Sequence, residues 1–211
     1  ATVTYKKGGF RHLGEREMAV FIGLELLLYR TPESWMFQMS QTNYARHWIG
    51  RLTVMIEGTG LKIKVRTVPG WNEGRTLPPT EQAGILADIA RAAVSALAFA
   101  ARHTMPEMIE TCTYLSTKYT CWTAHEDTGL LWVYGYWQGC VDAGEDALTL
   151  RIDIADAVNG TLYTDFFSDS DHATDWVRKS TSGAAAIVLG DHESRAMIAE
   201  GSKGQPSVAK S

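Results

Sequence analysis

Residues 133–139 read VYGYWQG, and Gly135-Tyr136-Trp137-Gln138-Gly139 has the spacing of a nucleophile elbow, G-x-S-x-G, with Trp137 where the serine belongs. An elbow holds its nucleophile on a strained turn between a strand and a helix. An indole is no nucleophile, and Cys140 to Asp146 reads as a turn instead of a helix. Both glycines are therefore expected in the second strand of a long β-hairpin. Its first strand is the Tyr-, Thr- and Trp-rich stretch through Tyr119, and its turn is Glu126-Asp127-Thr128-Gly129. Glycines inside a strand mark a bulge or a place where another backbone comes close.

Acid–base chemistry has one candidate group. His172 lies beside Asp169 and Asp171, and His192 lies between Asp191 and Glu193. If the fold brought them together, Asp169, His172, Asp191 and His192 could move protons in a hydrolase or hold a divalent ion. Helix capping by Asp169 and Asp171 accounts for the same residues with no chemistry, and is the favoured reading. Ser116 and Lys118 share a strand face in this scheme, but a lysine base needs burial that a half-exposed strand does not give. No P-loop, dinucleotide glycine fingerprint, HExxH or paired CxxC occurs, so no cofactor and no structural metal are expected.

The aromatic residues are the stronger lead. Trp132, Tyr134 and Tyr136 fall on one face of a strand by period two, with Tyr119 opposite Tyr136 in the hairpin. A wet face of this kind stacks against sugar rings or a partner; a dry one is core, which the rarity of large exposed apolar patches favours.

Three cysteines, Cys112, Cys121 and Cys140, fall close together on or beside the same hairpin. Its register places Cys112 nearly opposite Cys140, so a Cys112–Cys140 disulfide is expected, with Cys121 unpaired; three buried thiols are the alternative. Asn159-Gly160-Thr161 is a glycosylation acceptor and also an Asn-Gly turn joining strands over about 148–154 and 161–167.

These residues need elements to position them. From Glu15 to Tyr29 an apolar run is long enough to suggest a buried helix. Leu52–Glu57 and Leu61–Arg66 read as a hairpin with Lys62, Lys64 and Arg66 on its wet face. An Ala-rich helix near 80–103 carries Glu81, Asp88, Arg91, Ser95 and Arg102 on one narrow polar stripe, and its apolar remainder marks it as central. A further helix is expected over about 171–180, then a helix or strand to Leu189, then a flexible tail from Gly201. Hairpins interrupted by helices make an α+β fold, a mainly antiparallel sheet packed against two or three helices, in a single domain over 1–200.

The 211 residues suffice for a sizeable core, and a net charge of −4 gives no electrostatic argument for nucleic acid. The best membrane-span candidate, residues 85–101, is interrupted by Asp88 and Arg91. The start Ala1-Thr2-Val3, without methionine, is expected of a processed chain. With the cysteine cluster and the glycan acceptor, this outline is similar to that of secreted fungal killer-type toxins and effectors. The likeness implies a secreted, non-enzymatic protein that binds a cell-surface or cell-wall component, and a secreted hydrolase using the His/Asp group is the alternative.

Overall fold

The structure, a computed structural model, describes residues 11–12, 16–71, 82–144, 149–171, 179–192 and 194–208. Eight strands among them form one antiparallel sheet: β1 (Arg11–His12), β2 (Arg16–Phe21), β3 (Leu24–Arg30), β4 (Trp35–Ser40), β5 (Thr149–Asp153), β6 (Tyr163–Asp171), β7 (Lys179–Leu189) and β8 (Arg195–Val208). Their spatial order is β1-β2-β3-β4-β5-β8-β7-β6. Between β4 and β5 the described residues make four α-helices, α1 (Thr42–Ile56), α2 (Ala87–Ala101), α3 (Ile109–Ser116) and α4 (Ala124–Ala143), and a short α5 (Ile154–Asn159) follows β5. The expected α+β class holds.

The apolar core is helical. Ile49 and Leu52 of α1, Val94 and Leu97 of α2, Leu115 of α3 and Leu130, Tyr134 and Trp137 of α4 belong to one buried cluster. The Ala-rich helix is central as expected: α2 touches α1, α3 and α4, and Val94, Leu97 and Ala100 are fully buried. Its small side chains let three neighbours approach at once. The expected start at Thr80 lies outside the described residues.

Several expected elements are corrected. Within the run from Glu15 to Tyr29, residues 16–29 form a β-hairpin, with Phe21 paired to Leu24 around a two-residue turn. Ile22 (φ 45°) and Gly23 (φ 86°) both take the left-handed region, as a type I′ turn requires. Run length argued for a helix, but the central glycine is the punctuation that decides it. Leu52 to Ile56 is the last turn of α1, so no hairpin joins it to residues 61–66. Residues 163–171 pair with β7, and the expected partner strand near 148–154 pairs with β4 instead. Residues 201–208, expected in a flexible tail, complete β8 and pair with β7 from Gly201↔Ala184 to Val208↔Lys179. Of the helix expected over 171–180, residues 172–178 lie outside the described residues, and Asp171 and Lys179 belong to strands.

The largest correction is the long hairpin. Residues 109–116 and 124–143 are helices α3 and α4, and Gly135 and Gly139 lie inside α4. Helix α4 opens with a capping box: the Thr123 hydroxyl accepts the His125 N–H, and Glu126 Oε2 accepts the Thr123 N–H at 2.9 Å. Leu130, Leu131, Val133, Tyr134 and Trp137 are buried at helical spacing. The cysteines consequently stand on separate elements: Cys112 buried in α3, Cys121 exposed in the following loop, Cys140 half-buried in α4. No disulfide joins them; the expected Cys112–Cys140 bridge rested on a strand register that does not exist.

The two glycines do mark the close approach of another backbone. Residues 61–71 run as an extended strap along α4. The Arg66 N–H donates to the Gly135 carbonyl (3.0 Å), and Trp132 Nε1 donates to the Val68 carbonyl (3.1 Å). A Cβ at Gly135 would overlap the Lys64 carbonyl oxygen, and one at Gly139 would stand 2.7 Å from that of Arg66. The Trp71 ring fills the same role at Gly129. Leu61 and Ile63 pack on the core, while the Arg66 guanidinium turns inward and lies 4.0 Å over the Trp132 ring.

Candidate functional site: a basic cleft between α2 and α3

Both ends of α2 are fixed by polar contacts. The buried Asp127 carboxylate accepts the Ile85 N–H (2.6 Å), the Leu86 N–H (3.1 Å) and Trp122 Nε1 (2.7 Å) at the helix entry. At the other end Thr104 Oγ1 donates to Gln41 Oε1 (2.8 Å) at the start of α1. The chain then turns through buried Met105 and Pro106 into α3, so α2 and α3 face each other across a cleft of about 420 Å³.

The polar stripe of α2 lines this cleft with Ser95 and Arg102, joined by His103; Val94, Ala98 and Phe99 supply an apolar wall. From α3 come Ile109, Cys112, Thr113 and Ser116, and Tyr119 closes one end. His103 Nδ1 is 2.7 Å from the Phe99 carbonyl. A carbonyl only accepts, so Nδ1 carries a proton and Nε2 is left for another partner. Burial pushes the Tyr119 hydroxyl above its ordinary pKa, opposed by its hydrogen bond to Ser95 and by the Arg91 charge; the Arg91 guanidinium lies 5.6 Å over the ring. Among the described residues no acidic side chain lines the cleft.

The hydroxyls here are held by the helices. Thr113 donates to the Ile109 carbonyl (2.7 Å), Ser116 to the Thr113 carbonyl (2.7 Å), and Ser95 bonds Tyr119. Each of these hydrogen bonds runs to a main-chain carbonyl or a phenol and not to a base that would activate the hydroxyl. The arrangement suits recognition: two cationic or polarisable nitrogens at the rim of an apolar slot of ligand size.

Of the residues singled out by sequence, Tyr119, Cys112, Ser116 and the stripe residues Ser95 and Arg102 line the cleft; the other aromatic and the His/Asp candidates fall elsewhere. Tyr134 is fully buried and its hydroxyl donates to the Ala93 carbonyl (3.2 Å). Trp132 lies under Arg66, and the Tyr136 hydroxyl donates to Glu107 (2.8 Å). One helix carries all three at different angles, so they do not form a shared platform. Asp191 and His192 are exposed in the turn between β7 and β8; Asp169 is in β6, and His172 lies outside the described residues. Tyr163 is the residue paired with Leu189 beside that turn, and Asp169 is six residues further along β6, about 20 Å away. Asn159 is exposed at the end of α5, accessible to a glycan, and Thr161 Oγ1 donates to Asp156 Oδ1 (2.9 Å).

Sequence analysis did not single out Asp156. It is fully buried, and its Oδ1 also accepts the His192 N–H (3.2 Å). Burial alone would raise its pKa; hydrogen bonds from Ser194, Thr161 and the His192 backbone outweigh it and hold the carboxyl below its ordinary value. Ser194 is the loosest of these donors, since none meets strict hydrogen-bond geometry at Oδ2, which abuts Gly190. Ser194 Oγ itself accepts the Asp153 N–H (2.8 Å). The Asp-x-x-Asn-Gly-Thr run around it is its one sequence signal. Asp156 thus anchors the 190–194 turn to α5, and His192 reaches it through its main chain.

The chain is thus an α+β protein whose helical core opens into a basic, ligand-sized cleft. In comparisons with known proteins the chain matches no family model, no curated protein and no solved structure.

Proposed function

We propose that the protein is a non-enzymatic binding protein whose α2–α3 cleft takes a small amphiphilic anion, a carboxylate or phosphate on an apolar or aromatic body. The observation that supports this reading is the pairing of Arg102 and His103 with an apolar wall and no lining carboxylate, in a chain whose net charge is −4. Such a site attracts an anion against the overall field, and a guanidinium grips carboxylate or phosphate through two parallel N–H bonds. A cell-surface or cell-wall component bearing such a group fits the same cleft. The toxin-like, secreted part of the outline draws nothing from the cysteines, which form no disulfide. Nor does the acid–base alternative gain from geometry, with Asp169 far along β6 from Asp191 and His192.

The test is calorimetric titration with matched ligands, aryl carboxylates and aryl phosphates against their neutral amides and alcohols. Binding by the anions alone is expected. Arg102→Ala should weaken it by about tenfold, the loss of one charge-assisted contact. Equal binding of the neutral analogues, or an unaffected Arg102→Ala variant, would overturn the reading.

A further inference from the structure

The β2–β3 hairpin ends in three consecutive exposed apolar residues, Val20, Phe21 and Ile22, at 63%, 57% and 64% exposure. Ile22 takes a left-handed backbone (φ 45°), which a β-branched side chain adopts only under strain. Asparagine or aspartate before Gly23 would relieve that strain and wet the tip as well. The chain accepts two unfavourable terms at one residue, and strain kept at an exposed position points to a role for the side chain.

The tip has a cationic neighbour. Gly23 abuts Tyr44 in the first turn of α1: a Cβ there would stand 2.9 Å from the Tyr44 ring. Tyr44, His47, Trp48, Arg51 and Met55 follow at i, i+3, i+4, i+7 and i+11, one face of α1. The Trp48 ring has the His47 ring 6.0 Å away and the Arg51 guanidinium 5.0 Å over it. Helix α1 contains Arg46, His47 and Arg51 and no aspartate or glutamate; across the groove lined by Trp48, Arg51 and Met55 stands one acid, Asp88 of α2, so the cations outnumber the acids on this face. Glu25, the nearest acid on β3, accepts the Asn43 N–H (3.2 Å) at the helix start. An apolar aromatic tip beside an acid-free helix of Arg, His and Trp is the combination that seats in the boundary of an anionic bilayer. The apolar side chains enter the acyl edge, Trp sits at the headgroups, and the cations meet lipid phosphate and carboxylate.

We infer that the β2–β3 tip and the adjoining face of α1 form a peripheral membrane-docking surface selective for anionic lipid. No helix among the described residues is long and apolar enough to cross a membrane, so the association is interfacial. This inference stands apart from the cleft and its ligand.

Co-sedimentation with phosphatidylserine-rich vesicles and with pure phosphatidylcholine vesicles tests it. The protein should pellet with the first and much less with the second. Phe21→Ser should weaken binding by roughly tenfold or more, and Arg51→Gln should weaken it on the anionic vesicles alone. Ile22→Asn separates function from folding: it should raise the melting temperature while reducing vesicle binding. Arg102→Ala should leave vesicle binding unchanged; if it abolished binding, the lipid would be held in the cleft and the surface inference would fall. Undiminished binding by Phe21→Ser or Ile22→Asn, equal binding to both vesicles, or no binding by the unaltered protein would each overturn it.

Discussion

Gly135 and Gly50 are both helical glycines, and their surroundings make them opposites. Glycine in a helix interior costs about 0.5–1 kcal/mol relative to alanine. At Gly50, with nothing near its missing Cβ, Gly50→Ala should recover that amount. At Gly135 the added methyl would meet the Lys64 carbonyl and break the Arg66–Gly135 bond, so Gly135→Ala should destabilise by about 3 kcal/mol. Urea unfolding of the two variants should move in opposite directions. Asp156 supplies a pH signature. Its carboxyl titrates below the unfolded value near 3.9, so it contributes stability above that pH and loses it as pH falls through the folded pKa. Thr161→Val removes one donor, raises the folded pKa and should make the loss between about pH 5 and pH 2 smaller. Urea midpoints across that range give the answer.

At the scale of elements, α2 is the part on which the cleft depends, and Asp127 holds its entry. Asp127→Ala would leave three N–H donors without their partner, those of Leu86 and Trp122 buried, and should cost about 3 kcal/mol. It should also raise amide exchange in the first turn of α2 before that in α4, a pattern that general destabilisation would not produce. Helix α2 itself was legible: a long apolar, alanine-rich stretch with one polar stripe has few other uses. The stripe of Asp88, Arg91, Ser95 and Arg102 even contained two of the cleft's polar residues. The opposite wall was not legible, because Thr111 to Tyr119 has the Thr- and Tyr-rich composition of a strand. Burial among α2 and α4 overrides that weak preference. Helix α4 carried a local signal of its own, Thr123-x-x-Glu126, a capping box that outweighs the two glycines read as lying within a strand.

Across the whole molecule, helices enclose the core and β6 stands at one end of the sheet. Among the described residues β6 pairs only with β7, and Tyr163 to Ser168 are exposed on both faces, Phe166 at 80%. Phe166→Lys should change stability by no more than about 0.5 kcal/mol, since little covers the ring. It should raise the concentration at which light scattering detects association, because a lysine on an edge strand discourages strand addition. The α+β class, the central helix and the special character of Gly135 and Gly139 follow from composition and local spacing. That those glycines receive a strap, that the cysteines stand apart, and that the stripe on α2 faces a second helix across a cleft emerge from the folded chain alone. Each of these depends on which distant segment arrives at a given face. That choice is made by packing between separate segments, as far apart in the chain as Arg66 and Gly135, which no local pattern records.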